Sequence, residues 1–235
     1  MTMTADHQDT MTLIEAMRAR HAVRKYLPRP IERDVADALN ETIDACNRKS
    51  GLHLQLVLDE PRTFGGLVGR TSGFSNANNY LAVIGPDTDH LEFDAGYWGQ
   101  HVVLRAQQLG LNSRWVAATY KKVPEAWRVD AGERLLLVIA LGYGANPGRP
   151  HRSKSRDRVM KVAEGLTAPQ WFLDGVDAAL LAPTAMNQQA FTFTLADERT
   201  VRRAPGSGYG TNIDLGIASY QFELAAGIDN FDWAD

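Results

Sequence analysis

The sequence predicts an α+β fold of sheet flanked by helices. Three observations carry this: two long stretches of helical periodicity, several short apolar stretches of strand character, and a faint echo of the first half in the second. In order, Thr12-Leu13-Ile14-Glu15 is a capping box, and Leu13, Ile14 and Met17 give the turns after it an apolar side, so a helix runs to about Arg20. His21 to Tyr26 leaves that helix as an extended segment. Pro28 and Pro30 punctuate, and Ile31, Val35, Ala38, Leu39 and Ile43 then recur at helical spacing. Leu52, Leu54, Leu56 and Leu58 alternate as a strand does, and Tyr80 to Gly85 reads as another. His90 to about Leu109 is the central helix, stopped by Gly110. Leu135 to Leu141 is a continuous apolar strand, followed by a turn-rich connector from Gly142 to Pro150. Basic residues cluster just beyond it, at Arg152, Lys154, Arg156 and Arg158.

The echo lies in short matches. Ile43-Asp44-Ala45 and the run Leu54 to Glu60 return as Val176-Asp177-Ala178 and Phe191 to Glu198; Asp94, Gly96, Leu104 and Ala106 return as Asp214, Gly216, Leu224 and Ala226, about 120 positions on. The expected organisation is a disordered tail at 1–10, a first repeat at 11–160, and a second, degenerate repeat at 161–235 packed on the first as one globular unit. The copies differ at one place. The loop holding Pro183, Thr184 and Asn187 is an insertion in the second, whereas the first passes almost directly from helix to strand through Asn47-Arg48-Lys49-Ser50-Gly51.

With 235 residues, 44% of them hydrophobic, the chain can bury a full core. A formal net charge of -3 does not supply the basic field of a nucleic-acid binder, so any phosphate it holds is expected to be small and locally gripped. No long uninterrupted apolar run suggests a membrane span. The opening ten residues lack the cationic start and apolar core of a signal peptide, and the single Cys46 excludes an internal disulfide, so a cytoplasmic protein is expected.

Two clusters carry candidate chemistry. Arg20 and Arg24 straddle a helix end and an extended turn, where guanidinium forks suit phosphate oxygens; for two arginines alone a solvated basic surface is the commoner reading. Ala182-Pro183-Thr184-Ala185-Met186-Asn187-Gln188 joins a helix to the strand Phe191 to Leu195. Its hydroxyl and amides suit the edge of a ring rich in carbonyls and amides, and suit a plain helix-to-strand turn as well. Gly142-Tyr143-Gly144 is no dinucleotide fingerprint, because Pro147 and Pro150 prevent the helix that must open there. The six His lack metal-ligand spacing.

Taken together, these residues resemble the FMN-dependent nitroreductase family. Its first-helix segment Arg-Arg-Ser-x-Arg is matched by Arg20, His21, Ala22 and Arg24, and its Pro-Ser-x-x-Asn-x-Gln-Pro-Trp loop by Pro183, Thr184, Asn187, Gln189, Ala190 and Phe191. Gln100, Leu104, Ala106 and Gly110-Leu111 fit its central helix. The displaced Pro-Thr loop resembles a subgroup in which one chain carries two unequal repeats and imitates the family's dimer. The resemblance implies an antiparallel-dominated sheet and a single-chain pseudo-dimer with one FMN at the seam. It implies transfer of electrons from NADH or NADPH to a small acceptor, nitroaromatic or quinone-type, in a monomer or weak homodimer. The alternatives on the same scaffold are another flavin chemistry and a non-catalytic flavin-binding protein.

The same resemblance assigns the flavin contacts to Arg20, His21, Ala22, Arg24, Lys154 and Arg156 for the phosphate side, and Pro183, Thr184, Ala185, Asn187 and Gln188 for the ring. Ala117, Ala118 and Thr119 stand where the family offers a backbone N–H to flavin N5. No protein acid, base or nucleophile is required, because the cofactor carries the chemistry. Two departures stand out: Ala22 replaces the family's Ser, and Ala190-Phe191 replaces Pro-Trp.

Overall fold

The structure, a computed structural model, describes residues 11–150 and 152–234; the expected tail at 1–10 lies outside the described residues. Two four-stranded sheets share a helical layer. The first holds β1 (Gln55–Val57), β2 (Asn79–Pro86), β3 (Asn112–Val116) and β4 (Glu133–Gly142) in the order β1-β2-β4-β3, with every pair antiparallel. The second holds β5 (Met160–Val162), β6 (Phe191–Leu195), β7 (Thr200–Pro205) and β8 (Asp232–Trp233) in chain order. Its central pair is antiparallel and its two outer pairs are parallel. The helices are α1 (Leu13–Ala19), α2 (Arg33–Ser50), α3 (Gly66–Thr71), α4 (Leu91–Gln108), α5 (Gln170–Ala179) and α6 (Thr211–Ala226). None of the described helices is long and apolar enough to cross a membrane.

Local chemistry places these elements. Thr12 caps α1 by accepting the Glu15 N–H, and Glu15 returns a carboxylate to the Thr12 N–H at 2.8 Å, which fixes where the helix begins. α2 ends on Gly51, whose φ of 71° is the left-handed value glycine adopts without strain. The alternation from Leu52 to Leu58 yields a strand of three residues, because the Asn47 side-chain amide bonds both the N–H and the C=O of Leu54 in place of a neighbouring strand. The predicted central helix and the strands β2 and β4 form as read.

Each half has its own core. In the first, α2 and α4 cover one face of the sheet through Leu39, Ile43, Leu81, Val83 and Val102; in the second, Phe172, Phe193 and Phe222 meet between α5, α6 and β6. Trp115 and Ile213 pack against both cores and mark the seam. There α4 and α6 run in intimate contact. A Cβ on Gly96 would lie 2.1 Å from the Ile213 carbonyl oxygen, and one on Gly216 would lie 2.1 Å from that of Phe93. The two contacts exchange under a single shift of 120 positions.

Candidate functional site

Arg20 is the last residue of α1's hydrogen-bonded run, its N–H donating to Ala16 O at 2.9 Å, and from it the backbone turns extended. The segment that follows lies along the edge of β3: Ala22 bridges Ser113 in parallel register, and the Val23 N–H donates to Ser113 O at 3.1 Å. This pairing sets Arg20 and Ala22 beside Arg114 and Trp115. On α4, Gly99 makes room for the Trp115 ring, since a Cβ there would lie 2.7 Å from its edge.

A cavity of about 480 Å³ opens at this place, within the size range of small-molecule sites. The first half contributes Arg20, Ala22, Arg114 and the run Trp115 to Thr119; the second contributes Pro183 to Met186, Tyr209 and Gly210. Leu137, Ile213 and Ile217 give it apolar wall, and Asp214 adds a carboxyl.

The electrostatics are unusual for a protein interior. Arg20 is 3% exposed, yet its Nε and Nη1 have no hydrogen-bond partner among the described residues, and burial pushes its pKa down to about 10. Arg114 is partly buried, and its pKa is lowered by burial first and by the neighbouring Arg24 second. Among the described residues no carboxylate pairs with either. A buried cation without a counter-charge is costly, and an anionic guest relieves it.

The loop from Pro183 to Gln189 is held in a strained form. Met186, Asn187 and Gln189 have φ of 50°, 56° and 43°, left-handed values that cost a non-glycine residue about 1 kcal/mol or more each. Buried Gln189 holds it there. Its amide donates to Arg152 O at 2.9 Å and to Asn187 Oδ1 at 3.0 Å, its Oε1 accepts the Lys154 N–H at 2.7 Å, and its own N–H donates to Thr184 Oγ1 at 3.1 Å.

Asp214, in the first turn of α6 and 3% exposed, ties this loop to the helix: Oδ1 accepts the Ala185 N–H at 2.9 Å and Oδ2 accepts Gln188 Nε2 at 2.8 Å. Burial pushes its pKa up to about 6, against the smaller opposing pull of those two donors. A carboxyl raised in the folded state contributes stability that is present below its unfolded pKa and lost as pH rises through the folded one, here between about 4 and about 6. Asp214→Asn removes that loss. The difference in Tm between variant and wild type therefore shifts in the variant's favour on going from about pH 4.5 to about pH 7.5, by the equivalent of roughly 2 kcal/mol. A difference independent of pH would show that the carboxyl is not desolvated.

Of the residues singled out from sequence, Arg20, Ala22, Ala117, Ala118, Thr119, Pro183, Thr184 and Ala185 meet on the wall of this one cavity. The others do not line it. Lys154 Nζ is occupied by Gln188 O at 2.6 Å and Gln189 O at 3.2 Å, so it staples the loop from outside. Arg156 is forked onto both oxygens of Asp177 on α5, at 2.6 and 2.5 Å. The charges of Lys154 and Arg156 thus meet local partners in this structure. Asn187 donates to Arg152 O, and Gln188 to Tyr209 O and Asp214, so both act as loop braces. His21 packs beside Gly148, and Arg24 is exposed. Sequence reasoning missed Arg114 and Asp214, whose roles depend on burial that no local pattern announces.

Comparison with known proteins gives this site its context. A profile of the family described as "Putative TM nitroreductase" matches residues 12–226. The chain belongs to this family. Among solved structures, this nitroreductase-family chain is similar to a "putative nitroreductase" from Thermotoga maritima, at 18% identity and a TM-score of 0.67, covering 96% of this chain and 88% of that one. It is also similar to the NfrA1 nitroreductase from B. subtilis, at 15% identity and a TM-score of 0.51, covering 66% of this chain and 74% of that one. These likenesses show a shared nitroreductase-like α+β fold. No curated protein matches the chain.

Proposed function

We propose that the chain is an FMN-dependent oxidoreductase that passes electrons from NADH or NADPH to nitroaromatic or quinone-type acceptors. The observation that carries this reading is Arg20: a buried guanidinium with two unpartnered nitrogens, in a residue that lines a cavity walled by both segments resembling the family's flavin motifs. When bound, FMN supplies the redox chemistry, taking electrons from the nicotinamide nucleotide and giving them to the acceptor.

The residues present fit that group. Arg20 and Arg114 provide unpaired positive charge for an anionic end, with Arg24 adding to the field from outside the wall. The backbone of Ala117 to Thr119 offers N–H groups, and Pro183, Thr184 and Ala185 offer a braced polar edge for a planar head. Leu137, Ile213 and Ile217 exclude water from one side. Asp214, on the same wall, would hold a proton below about pH 6 and a negative charge above it.

The same reading makes the chain a single-chain pseudo-dimer of two unequal copies, cytoplasmic, and monomeric or weakly dimeric. The reciprocal contacts of Gly96 and Gly216 support the pseudo-dimer, and each motif occurs once, which sets the expectation at one flavin. Titration of FMN into flavin-free protein, followed by quenching of flavin fluorescence, is expected to saturate at one equivalent per chain. Anaerobic mixing with NADH or NADPH is then expected to bleach the visible band. Absence of binding, or a second equivalent, contradicts the reading.

A further inference from the structure

The mouth of the cavity displays two large apolar side chains. Met186 is 84% exposed and Tyr209 is 59% exposed, although both line the cavity. Folded proteins usually hide such groups, and large apolar side chains exposed on the wall of one pocket are a common mark of a ligand surface.

Neither is displayed by slack in the chain. Met186 is carried at a φ of 50°, on the loop that Gln189 braces. Tyr209 stands between Gly208 and Gly210, with φ of 152° and 65°, and its carbonyl accepts Gln188 Nε2 at 2.7 Å. Since Gln188 also donates to Asp214, and Asp214 accepts the Ala185 N–H, one short chain of hydrogen bonds ties both displayed residues to the first turn of α6. Gly208 is needed for this closeness, because a Cβ there would lie 2.2 Å from Gln188 Oε1. Among the described residues the Tyr209 hydroxyl has no hydrogen bond and its ring no stacking partner. Burial raises the Tyr120 pKa, and the nearby Tyr209 adds to that effect.

We propose that Met186 and Tyr209 are the acceptor platform of this chain: the thioether and the phenol ring take one face of a planar, electron-poor aromatic compound at the mouth of the cavity. Such a compound meets the electron-rich face of Tyr209 in an offset stack and the polarisable sulfur of Met186 at its edge. Acceptors without a flat face gain nothing from the pair. This inference rests on the proposed oxidoreductase reading and adds to it the residues that choose the acceptor.

The test compares menadione, a planar quinone, with ferricyanide, an octahedral one-electron acceptor, in wild type, Tyr209→Ala, Tyr209→Phe and Met186→Ala. Menadione becomes its hydroquinone by taking two electrons and one proton from NADH and a second proton from solvent; each NADH reduces two ferricyanides and releases one proton. The ratio of kcat/KM for menadione to that for ferricyanide is expected to fall about fivefold in Tyr209→Ala. The fall should come through KM for menadione, and the ratio should stay within about twofold of wild type in Tyr209→Phe, which keeps the ring. Met186→Ala should lower the ratio in the same sense, and it reports on the platform even if the Tyr209 loop fails to form. Flavin content, read from the visible spectrum, confirms equal loading. An unchanged ratio in both alanine variants at equal loading overturns the platform and leaves the oxidoreductase reading standing. A wild type that binds FMN but reduces neither acceptor overturns both.

Discussion

Arg20→Met is expected to make the flavin-free protein more stable while weakening its hold on FMN. The two effects have one cause. Burial lowers the Arg20 pKa from 12.5 to about 10, and at neutral pH the group remains charged in both folded and unfolded chains, so the shift reads as a cost of about 3 kcal/mol for folding around an unpaired cation. Methionine has a similar length and no charge, so it fills the volume and removes that cost. For a chain of this length the gain corresponds to a rise in Tm of about 5–10 °C. With FMN present the balance reverses. Each charge-assisted hydrogen bond lost is worth about 1.5–3 kcal/mol, so the dissociation constant is expected to rise roughly ten- to hundredfold. Arg20→Lys keeps charge but not the planar fork, and its affinity should fall between the two. Scanning calorimetry on flavin-free protein and fluorescence titration with FMN measure the two halves separately. A less stable flavin-free methionine variant would show that the guanidinium is a structural cation whose partner is part of the fold.

That residue was within reach of sequence reasoning, whereas Arg114 and Asp214 were not, and the difference is physical. Arg20 follows a capping box whose start and length place it at a helix exit, and the cluster with Arg24 marks a candidate for phosphate. The loop from Pro183 to Ala185 is legible for a similar reason: proline and threonine between two apolar elements define a turn with polar atoms to offer. Arg114 sits on a five-residue strand, Asn112-Ser113-Arg114-Trp115-Val116, whose alternation does not separate a polar from an apolar face. Its position depends on the bridge between Ala22 and Ser113, a pairing remote in sequence. Asp214 reads as an ordinary acid in the first turn of a helix, where it suits the macrodipole. What makes it distinctive is the absence of water around it, a property of α6 as a whole, whose residues from Asp214 to Phe222 are all buried. Lys154 and Arg156 show the reverse limit. Their charge was visible, but their partners, the carbonyls of Gln188 and Gln189 and the carboxylate of Asp177, are brought by the fold.

The seam itself makes the second large prediction. Gly96→Ala and Gly216→Ala are each expected to cost about 3 kcal/mol or more. The atoms in the way are backbone: Ile213 O at 2.1 Å for the first, Phe93 O at 2.1 Å and Tyr97 N at 2.8 Å for the second. A flexible side chain can rotate from such a clash, but a helix backbone can yield only by moving the whole helix, and here that separates α4 from α6. Separation uncovers the wholly buried run of α6 and also carries Ile213 and Asp214 away from the cavity wall, so FMN affinity should fall along with Tm. Because either substitution alone forces the same separation, the double variant should lose less than the sum of the two. Gly110→Ala is the control: it strains a φ of 80° but meets open space, so it should cost only about 1 kcal/mol. Thermal unfolding of the four variants decides the matter. Equal, subadditive losses at Gly96 and Gly216 are what a contact repeated about an internal axis produces, and a Gly96 variant as stable as wild type would show that the helices are not in backbone contact and that the two halves do not meet as copies.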